Sequence, residues 1–184
     1  MGPMTAPKIR LEPLSIDHLD HIMTWINDPA VTFYFAHLSE TITREQEHAF
    51  VSRLVTSNTD RIFSIFEDDI YVGQIGISKI YWPAKNGRIG IMLPRYAWGR
   101  GIAKAAVHQL LEHAFGALGL HKLWVIIRSD NAKSLHLWES LGFQREGHLR
   151  DEYFVNERYY DMVRLARLAH DVPGPQREIT DEDR

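Results

Sequence analysis

The sequence of 184 residues contains no cysteine. This absence excludes disulfide bonds, thiolate metal sites and cysteine nucleophiles together. The sequence also has no apolar run near the ~20 residues that a membrane-spanning helix needs, and no hydrophobic signal core at its start. We therefore expect a cytoplasmic protein without a membrane partner. Hydrophobic residues make up 45% of the chain, which is enough for one core.

Three catalytic motifs are missing as well. The chain has no H-E-x-x-H zinc motif, no G-x-S-x-G nucleophile elbow and no G-x-x-x-x-G-K-[ST] phosphate loop. We accordingly expect no bound metal. The net charge of -3 gives the chain no overall attraction to nucleic acid, so we expect no nucleic-acid partner.

Acidic residues are absent between Asp69 and Glu112. Six cationic residues lie in that interval: Lys79, Lys85, Arg88, Arg95, Arg100 and Lys104. Together they predict a positive field that attracts a small anion or a phosphate group. The alternative is that acids elsewhere in the fold offset these cations.

The hydrophobic periodicity predicts a mixed, three-layer α/β protein. Strands and helices follow one another without internal repeats. The first predicted elements are a strand in KIRLEPL, a helix at 16–26, an aromatic-rich loop or broken helix at 27–40 and a helix at 44–55. Next come a hairpin of strands at 61–67 and 70–82, a strand in GRIGIMLP and a helix from the following glycines to about residue 118. The last elements are a strand at 121–128, a helix at 131–142, and strands at 143–149, 152–155 and 158–168.

The segment PRYAWGRGIAKAAVHQLLEHAF joins a strand to an amphipathic helix through Gly99 and Gly101. Neither glycine has a side chain that can cap the helix. The N–H groups of the first turn therefore stay open, and the helix dipole adds positive charge there, as is typical of an anion site. The dinucleotide fingerprint G-x-G-x-x-G does not fit, because Lys104 takes its last small position and His121 stands where an acid is needed.

This segment resembles the coenzyme A loop of the Gcn5-related N-acetyltransferases (GNAT), Gln/Arg-x-x-G-x-Gly/Ala, with Tyr96 in place of Gln or Arg. A second segment, NAKSLHLWESLGF, resembles the other GNAT signature, Asn-x-x-Ser/Ala-x-x-x-Tyr-x-x-x-Gly-Phe, and starts 30 residues after Gly101. The closing stretch EGHLRDEYFVNERYYDMVRLARL resembles the branch of ribosomal-protein-alanine, spermidine and nucleotide-amino-sugar acetyltransferases. The similarity covers nearly the whole chain.

The resemblance implies a single-domain GNAT fold at residues 8–169, with a mixed, mostly antiparallel central sheet flanked by helices on both faces. It also implies transfer of acetyl from acetyl-CoA to a primary amine in a ternary complex, without a covalent intermediate. The acceptor stays open between a protein N-terminus, a polyamine, an amino sugar and an antibiotic. An acyl-CoA sensor without turnover is the alternative function. The branch favours a homodimer, and the polar residues 170–184 are expected to form a disordered tail.

By the same resemblance, three groups of residues bind the cofactor. A strand edge lines pantetheine, and one of its amides polarises the thioester carbonyl: Ile91, Met92 and Leu93. The glycine loop cradles the pyrophosphate: Trp98, Gly99, Arg100, Gly101, Ile102, Ala103 and Lys104. Asn131 and Ser134 reach the pantetheine arm, although a helix cap and a surface hydroxyl are their respective alternatives.

The catalytic pattern departs from the family at Trp138, which stands where many GNAT enzymes have the tyrosine that protonates the departing sulfur. An indole N–H does not act as an acid, so we interpret Trp138 as a wall of the thioester pocket or as core. The proton donor is then Ser134, a water molecule or Tyr153. General acid help is worth ~10²–10⁴ in rate, so a transferase tolerates its loss.

Candidates for the general base lie in LRDEYFVNE, whose acids are Asp151, Glu152 and Glu157. Strand alternation sends Asp151 and Glu152 to opposite faces, and we favour Glu152, with a solvated surface acid as the alternative. Further acceptor-side candidates are Tyr34, Phe33 and Glu40, with core packing as the alternative for the two aromatic residues.

Overall fold

Residues 7–35 and 40–171 are described by the structure, a computed structural model. Its strands are β1 (Ile9–Pro13), β2 (Arg61–Glu67), β3 (Ile70–Tyr81), β4 (Asn86–Met92), β5 (Lys122–Arg128), β6 (Gln144–Val155) and β7 (Arg158–Leu168). Its helices are α1 (Leu19–Met23), α2 (Pro29–Thr32), α3 (Arg44–Val55), α4 (Ile102–Phe115) and α5 (Ala132–Ser140). Single turns of 3-10 helix lie at Ile16–His18, Trp82–Ala84 and Arg95–Ala97.

The seven strands form one sheet in the order β1-β2-β3-β4-β5-β7-β6. Neighbouring strands are antiparallel except for β4 and β5, which run parallel. A parallel pair needs a crossover connection, and the segment that contains α4 supplies it. The predicted mixed, mostly antiparallel sheet is confirmed.

Strand alternation divides the core between two faces of the sheet. On the first, Ile75 pairs with Ile91 and Ile77 with Ile89, and these side chains belong to the core that includes α4 and α5. On the second, Met92 packs on the core formed with α1 and α3. We call these the α4 face and the α3 face. Helices thus cover both faces, as predicted.

The helix predicted at residues 16–26 is shorter than its apolar pattern. It starts with a 3-10 turn, and the α-helix ends at Met23. The hydroxyl of Thr24 donates to a backbone carbonyl three residues earlier at 2.6 Å. Beyond this turn, the side chain of Asn27 donates to the carbonyl of Ile42 at 2.9 Å and accepts its N–H at 2.8 Å. A tertiary tie to the segment before α3 thus follows the last helical turn.

The strands predicted at 143–149 and 152–155 form one strand, β6. Its register against β7 shifts between Leu149 and Tyr153, where Asp151 has a left-handed backbone with φ of 48°. Such a bulge interrupts the alternation of side chains between the two faces. The prediction that alternation separates Asp151 from Glu152 is therefore wrong in its premise, because the strand is not regular there.

Two predicted segments fall partly outside the described residues. The aromatic-rich segment 27–40 contains α2, which Asp28 caps by accepting the N–H of Ala30 at 3.0 Å. Residues 36–39 of that segment lie outside. Of the predicted tail at 170–184, residues 170 and 171 are described and the rest lies outside.

Candidate active site

The parallel strands β4 and β5 pair over a short stretch at their amino ends: Asn86, Gly87 and Arg88 with Lys122, Leu123 and Trp124. Beyond these pairs, β4 remains bonded to β3 and β5 to β7, and no further pair joins β4 to β5 in the described chain. The two strands therefore separate towards their carboxyl ends and leave backbone groups unpaired on both inner edges. A cleft of about 260 Å³ opens between them.

Residues of both separating strands line this cleft, 89–92 from β4 and 125–128 from β5. Four predicted site residues from α5, its N-cap and β6 join them: Asn131, Ser134, Trp138 and Tyr153. The lining does not include Leu93, Glu152 or the predicted loop residues 98–104. Leu93 follows the end of β4, and the exposed Glu152 lies at the bulge of β6. The fold thus brings Ser134 and Tyr153 to one cavity and leaves Glu152 apart.

The glycine loop connects the end of β4 to α4. Gly99 and Gly101 have left-handed backbones, with φ of 71° and 78°, which residues with a side chain rarely adopt. A Cβ atom at Gly99 would have no heavy atom within 4 Å, so the space beside the loop is open. The N-cap of α4 is Gly101, and no side chain caps the helix. The first-turn N–H groups of Ile102, Ala103 and Lys104 are thus available to an anion.

Two aromatic side chains fix this loop to the sheet. The indole N–H of Trp98 donates to the carbonyl of Leu93 at 2.8 Å. Tyr96, at the position where the family has Gln or Arg, donates its hydroxyl to the carbonyl of Tyr71 at 2.7 Å. Desolvation raises the pKa of Tyr96 and keeps the donor protonated. Both bonds hold the shape of the loop through side chains and leave its glycines uncovered.

The cations predicted to surround the loop are divided in the fold. Arg95 pairs with Asp28 at 2.6 Å, and Arg100 pairs with Glu67. Lys79 and Lys85 precede β4, at the end opposite the loop, whereas Lys104 lies in the first turn of α4. A strand of seven residues spans roughly 23 Å, so one cationic cluster does not form at the loop. Acids elsewhere in the fold offset part of the charge, which was the alternative.

Helix α5 begins beside the cleft with a capped end. The side-chain oxygen of Asn131 accepts the N–H of Ser134 at 3.1 Å, which is the helix cap weighed against a pantetheine contact. Trp138, further along the helix, is buried, and its ring meets Phe143 edge-on with centroids 4.9 Å apart. Because Trp138 belongs to the core and also lines the cleft, both interpretations of this residue fit its position.

Sequence reasoning missed Arg128, the last residue of β5. Its side chain is buried, and Asp130 accepts hydrogen bonds from its guanidinium at 2.7 and 2.8 Å. The rings of Phe33, Tyr34 and Tyr160 surround the guanidinium carbon, with centroids at 4.9, 4.7 and 4.0 Å. The hydrogen bonds to Arg128 lower the pKa of Asp130 and raise that of Arg128. The one sequence signal for this site is a cation that ends an apolar strand.

Arg128 lines both the cleft and a second pocket of about 260 Å³. The predicted acceptor-side residues divide between these two cavities. Tyr34 lines the cleft, whereas Phe33 and Glu40 line the second pocket. Among the described residues that line either cavity, Glu40 is the one acid.

On the α3 face, the cleft is lined by polar side chains of β3 and β4. Ser78 pairs with Arg88 and Gln74 pairs with Met92 in the register, so these side chains share that face. Between them, Gly90 leaves the strand uncovered, since a Cβ atom there would have no heavy atom within 4 Å. The side-chain oxygen of Gln74 is buried and has no hydrogen-bond partner among the described residues.

Two other kinds of feature are absent from residues 7–35 and 40–171. No three His, Asp or Glu side chains gather there in a way that could bind a metal ion. None of the helices in that part of the chain has the length and apolar composition that crossing a membrane requires.

Comparison with known proteins agrees with this geometry. A family model described as Acetyltransferase (GNAT) domain matches residues 8–144. A spermidine N(1)-acetyltransferase of Vibrio cholerae is 28% identical over 144 residues, which cover 77% of this chain and 82% of that protein. A ribosomal-protein-serine acetyltransferase of Escherichia coli is 31% identical over 108 residues, or 59% and 60% of the two chains. A crystal structure of spermidine N-acetyltransferase from Vibrio cholerae in complex with CoA and spermine has a TM-score of 0.83 at 25% identity, and the match covers 89% of this chain and 96% of that one.

Proposed function

Because this chain belongs to the GNAT acetyltransferase family, and is thus an N-acetyltransferase that uses acetyl-CoA, we propose that the cleft holds acetyl-CoA and a primary amine together for direct transfer. The observation that carries this proposal is the separation of β4 from β5, which provides space and unpaired backbone groups in one place. Residues 8–169 form the proposed transferase domain. One relative is named for a polyamine and another for a ribosomal protein, so the relatives do not agree on one acceptor.

The chain offers suitable groups along the length of acetyl-CoA. The uncapped first turn of α4 suits the pyrophosphate, because its N–H groups and the helix dipole favour an anion. The open space beside Gly99 leaves room for the phosphate oxygens. The inner edge of β4, at Ile91 and Met92, has backbone groups that suit the pantetheine amides. Asn131 and Ser134 face the same cleft from the start of α5.

Acetyl-CoA supplies a thioester, whose carbonyl carbon accepts the amine nitrogen while the carbon–sulfur bond breaks. A backbone N–H of residues 91–93 donates to the carbonyl oxygen and stabilises the negative charge that develops there. The amine loses a proton before attack, since an alkylammonium has a pKa of ~10.4, and a second proton as the amide forms. No carboxylate lies among the described lining residues, and Glu152 is exposed outside them, so water in the open cleft takes these protons.

We assign the protonation of the departing sulfur to Tyr153. Ser134 and Tyr153 both carry a hydroxyl in the lining of the cleft. A phenol with an ordinary pKa of ~10 releases a proton far more readily than an aliphatic hydroxyl does. Trp138 lines the same cleft, but its indole N–H does not act as an acid. Tyr153 is therefore the acid that this geometry favours.

The substitution Tyr153→Phe tests this assignment. We expect kcat to fall by ~10²–10⁴, the usual worth of a general acid, with acetyl-CoA affinity unchanged. The exposed Tyr159, whose ring contacts that of Phe154 outside the cleft, provides the matched control Tyr159→Phe, and its kcat should equal that of the native protein. The measurement is thiol release at saturating acetyl-CoA. A folded Tyr153→Phe variant with full kcat would assign the proton to Ser134 or water instead.

The transferase activity itself is tested with a panel of amines. The panel contains peptides with free N-termini, polyamines and amino sugars, and the readout is thiol release that depends on the acceptor. Acetyl-CoA binding without release on any amine would support the sensor and overturn the transferase. Light scattering on the same preparation tests the expected homodimer.

A further inference from the structure

The side of the cleft on the α3 face combines a cation with an absence of acids. Arg88 lines the cleft, and none of the described lining residues is Asp or Glu. Residues 36–39, outside the described part of the chain, contain no acid either. Arg128 also lines the cleft, but Asp130 pairs with it. The charge that the cleft presents to a ligand is therefore positive, and Arg88 carries it.

Arg88 lies beside the ring of Trp124. Its guanidinium carbon lies 6.0 Å from the ring centroid of Trp124, and that of Arg164 lies 4.2 Å from the same ring. Arg164 has the carboxylate of Glu146 at 3.5 Å. Within residues 7–35 and 40–171, by contrast, no carboxylate lies within ion-pair distance of Arg88. Its planar set of N–H donors is thus available to a carboxylate or a phosphate, which it can bind through two parallel hydrogen bonds.

Gly90 provides a path from Arg88 to the reacting end of the cleft. The two residues are two positions apart on β4 and face the same side, so their α-carbons are about 7 Å apart. Because Gly90 has no side chain and a Cβ atom would meet nothing within 4 Å, a small molecule can lie over the strand there. Ser78, directly opposite Arg88, adds a hydroxyl at the same end.

We propose that the acceptor is a small primary amine that also carries a carboxylate or a phosphate, and that Arg88 binds this anionic group. The inference rests on the proposed transferase function and names its substrate class. A polyamine would bring a second ammonium group towards Arg88, and like charges placed together oppose binding. Glu40 does not offset this effect, because it lines the second pocket and not the cleft. Arg88 is in this account a specificity residue and takes no part in proton transfer.

The experiment compares amines that differ only in the anion. Lysine and cadaverine differ by a carboxylate, and glucosamine 6-phosphate and glucosamine differ by a phosphate; spermidine completes the set. Thiol release gives kcat/KM for the native protein and for Arg88→Gln, Arg88→Lys and Arg53→Gln. The last is a matched control, because Arg53 is an exposed arginine that also stacks on a ring, that of Phe50 on α3.

We expect the native protein to prefer the anionic member of at least one pair by tenfold or more. Arg88→Gln should remove this preference by raising the KM of the anionic member about 10- to 100-fold, the usual worth of hydrogen bonds to a charged group, while its uncharged partner is unaffected. Arg88→Lys should retain part of the preference, and Arg53→Gln all of it. The pair that responds distinguishes a carboxylate from a phosphate.

Three results would overturn the proposal: a preference for cadaverine, glucosamine or spermidine over the anionic amines, a preference for the anion that survives in Arg88→Gln, or loss of the preference in Arg53→Gln.

Failure of the transferase function is a separate result, since it appears as no thiol release with any amine. In that case calorimetry with the CoA-loaded protein measures the binding of the same amines and tests the anion site without turnover. Selective binding of lysine over cadaverine, or of the sugar phosphate over the sugar, would still support the anion site, and equal or absent binding would reject it. Melting temperatures establish that each variant is folded.

Discussion

Helices α4 and α5 pack on the same face of the sheet and border the same site, but their first turns differ. At α5, the side chain of Asn131 accepts the N–H of Ser134 at 3.1 Å, so the helix satisfies one of its own open donors. At α4, Gly101 stands at the N-cap with φ of 78° and provides no side chain. One helix therefore starts in the way that favours stability, and the other in the way that favours a ligand.

The difference shows where the fold tolerates an unsatisfied helix end. Helix α3 begins with a capping box and lies away from the cleft. In this box the side chain of Thr43 accepts the N–H of Gln46, and the side chain of Gln46 accepts the N–H of Thr43. Helix α4 alone, among the helices of at least eight described residues, has no side-chain cap. Its open N–H groups lie where the chain passes from the glycine loop into the helix. The missing cap thus coincides with the proposed pyrophosphate position.

Of the substitutions that test the contrast between the first turns of α4 and α5, Gly101→Val is expected to have the largest effect, a loss of acetyl-CoA affinity. A β-branched residue is strained at positive φ, which costs roughly 1–3 kcal/mol, and its side chain stands beside the open donors. The fold should survive, because a Cβ atom there meets Pro7 at 3.6 Å, an ordinary contact. We expect acetyl-CoA affinity to fall roughly 100-fold, about the worth of two hydrogen bonds to a charged group. Calorimetry measures it.

Gly119→Val is the matched control for this prediction. Gly119 also has a positive φ, 62°, and open space around its Cβ position, but it lies in the turn after α4, at the opposite end of that helix. The Gly119→Val variant should lose a similar amount of stability and keep its acetyl-CoA affinity. Unchanged affinity in a folded Gly101→Val variant would remove the loop from the site, and equal losses in both variants would show an effect of strain alone.

A smaller effect is expected when the cap of α5 is removed. Asn131→Ala should lower the free energy of unfolding by ~0.5–2 kcal/mol, as is usual for a lost N-cap, and Thr43→Ala at α3 should do the same. If Asn131 also reaches pantetheine, acetyl-CoA affinity falls up to tenfold in Asn131→Ala and stays unchanged in Thr43→Ala. Thermal unfolding and calorimetry separate the two roles. Equal affinities in both variants would leave Asn131 as a cap alone.

The smallest effect is expected at Trp138. If this residue forms a wall of the cleft, Trp138→Tyr keeps or modestly raises kcat, because it adds a phenol that can protonate sulfur. Trp138→Phe should cost at most ~0.5–1.5 kcal/mol, or up to about tenfold in kcat, if the indole N–H orients the sulfur. The measurement is kcat at saturating acetyl-CoA, beside the melting temperature. A much larger loss at unchanged melting temperature would show that the indole has a chemical role.

Local signals predicted much of the fold. Helix α3 begins and ends as expected, because Thr43 and Gln46 stand at capping-box spacing and form that box. The strands predicted at 152–155 and 158–168 leave Asn156 and Glu157 between them as a turn, and both have positive φ, 50° and 59°. The bulge at Asp151 was missed, because it depends on how β6 pairs with β7 rather than on residue type.

The site was harder to predict, because its walls come from distant parts of the chain. The loop glycines carry a local motif, so their open donors could be expected. The cleft depends on how far β4 and β5 pair, and no local pattern sets that length. Arg128 is buried among Phe33, Tyr34 and Tyr160, which two separate segments of the chain supply. Spacing in the sequence does not bring such residues together.

The short pairing of β4 with β5 also makes a seam in the sheet, that is, a boundary that few backbone hydrogen bonds cross. Strands β1 to β4 form one half-sheet and β5 to β7 another, and the backbone ladder that joins them is three residue pairs long. Side chains in the α4-face core, such as Ile89 and Val125, span the seam on one side. A ligand bonded to the inner edges of both β4 and β5 would link the two half-sheets to each other. Amide hydrogens on β4 and β5 beyond the seam should then exchange more slowly, and the whole molecule should resist unfolding better, when such a ligand is bound.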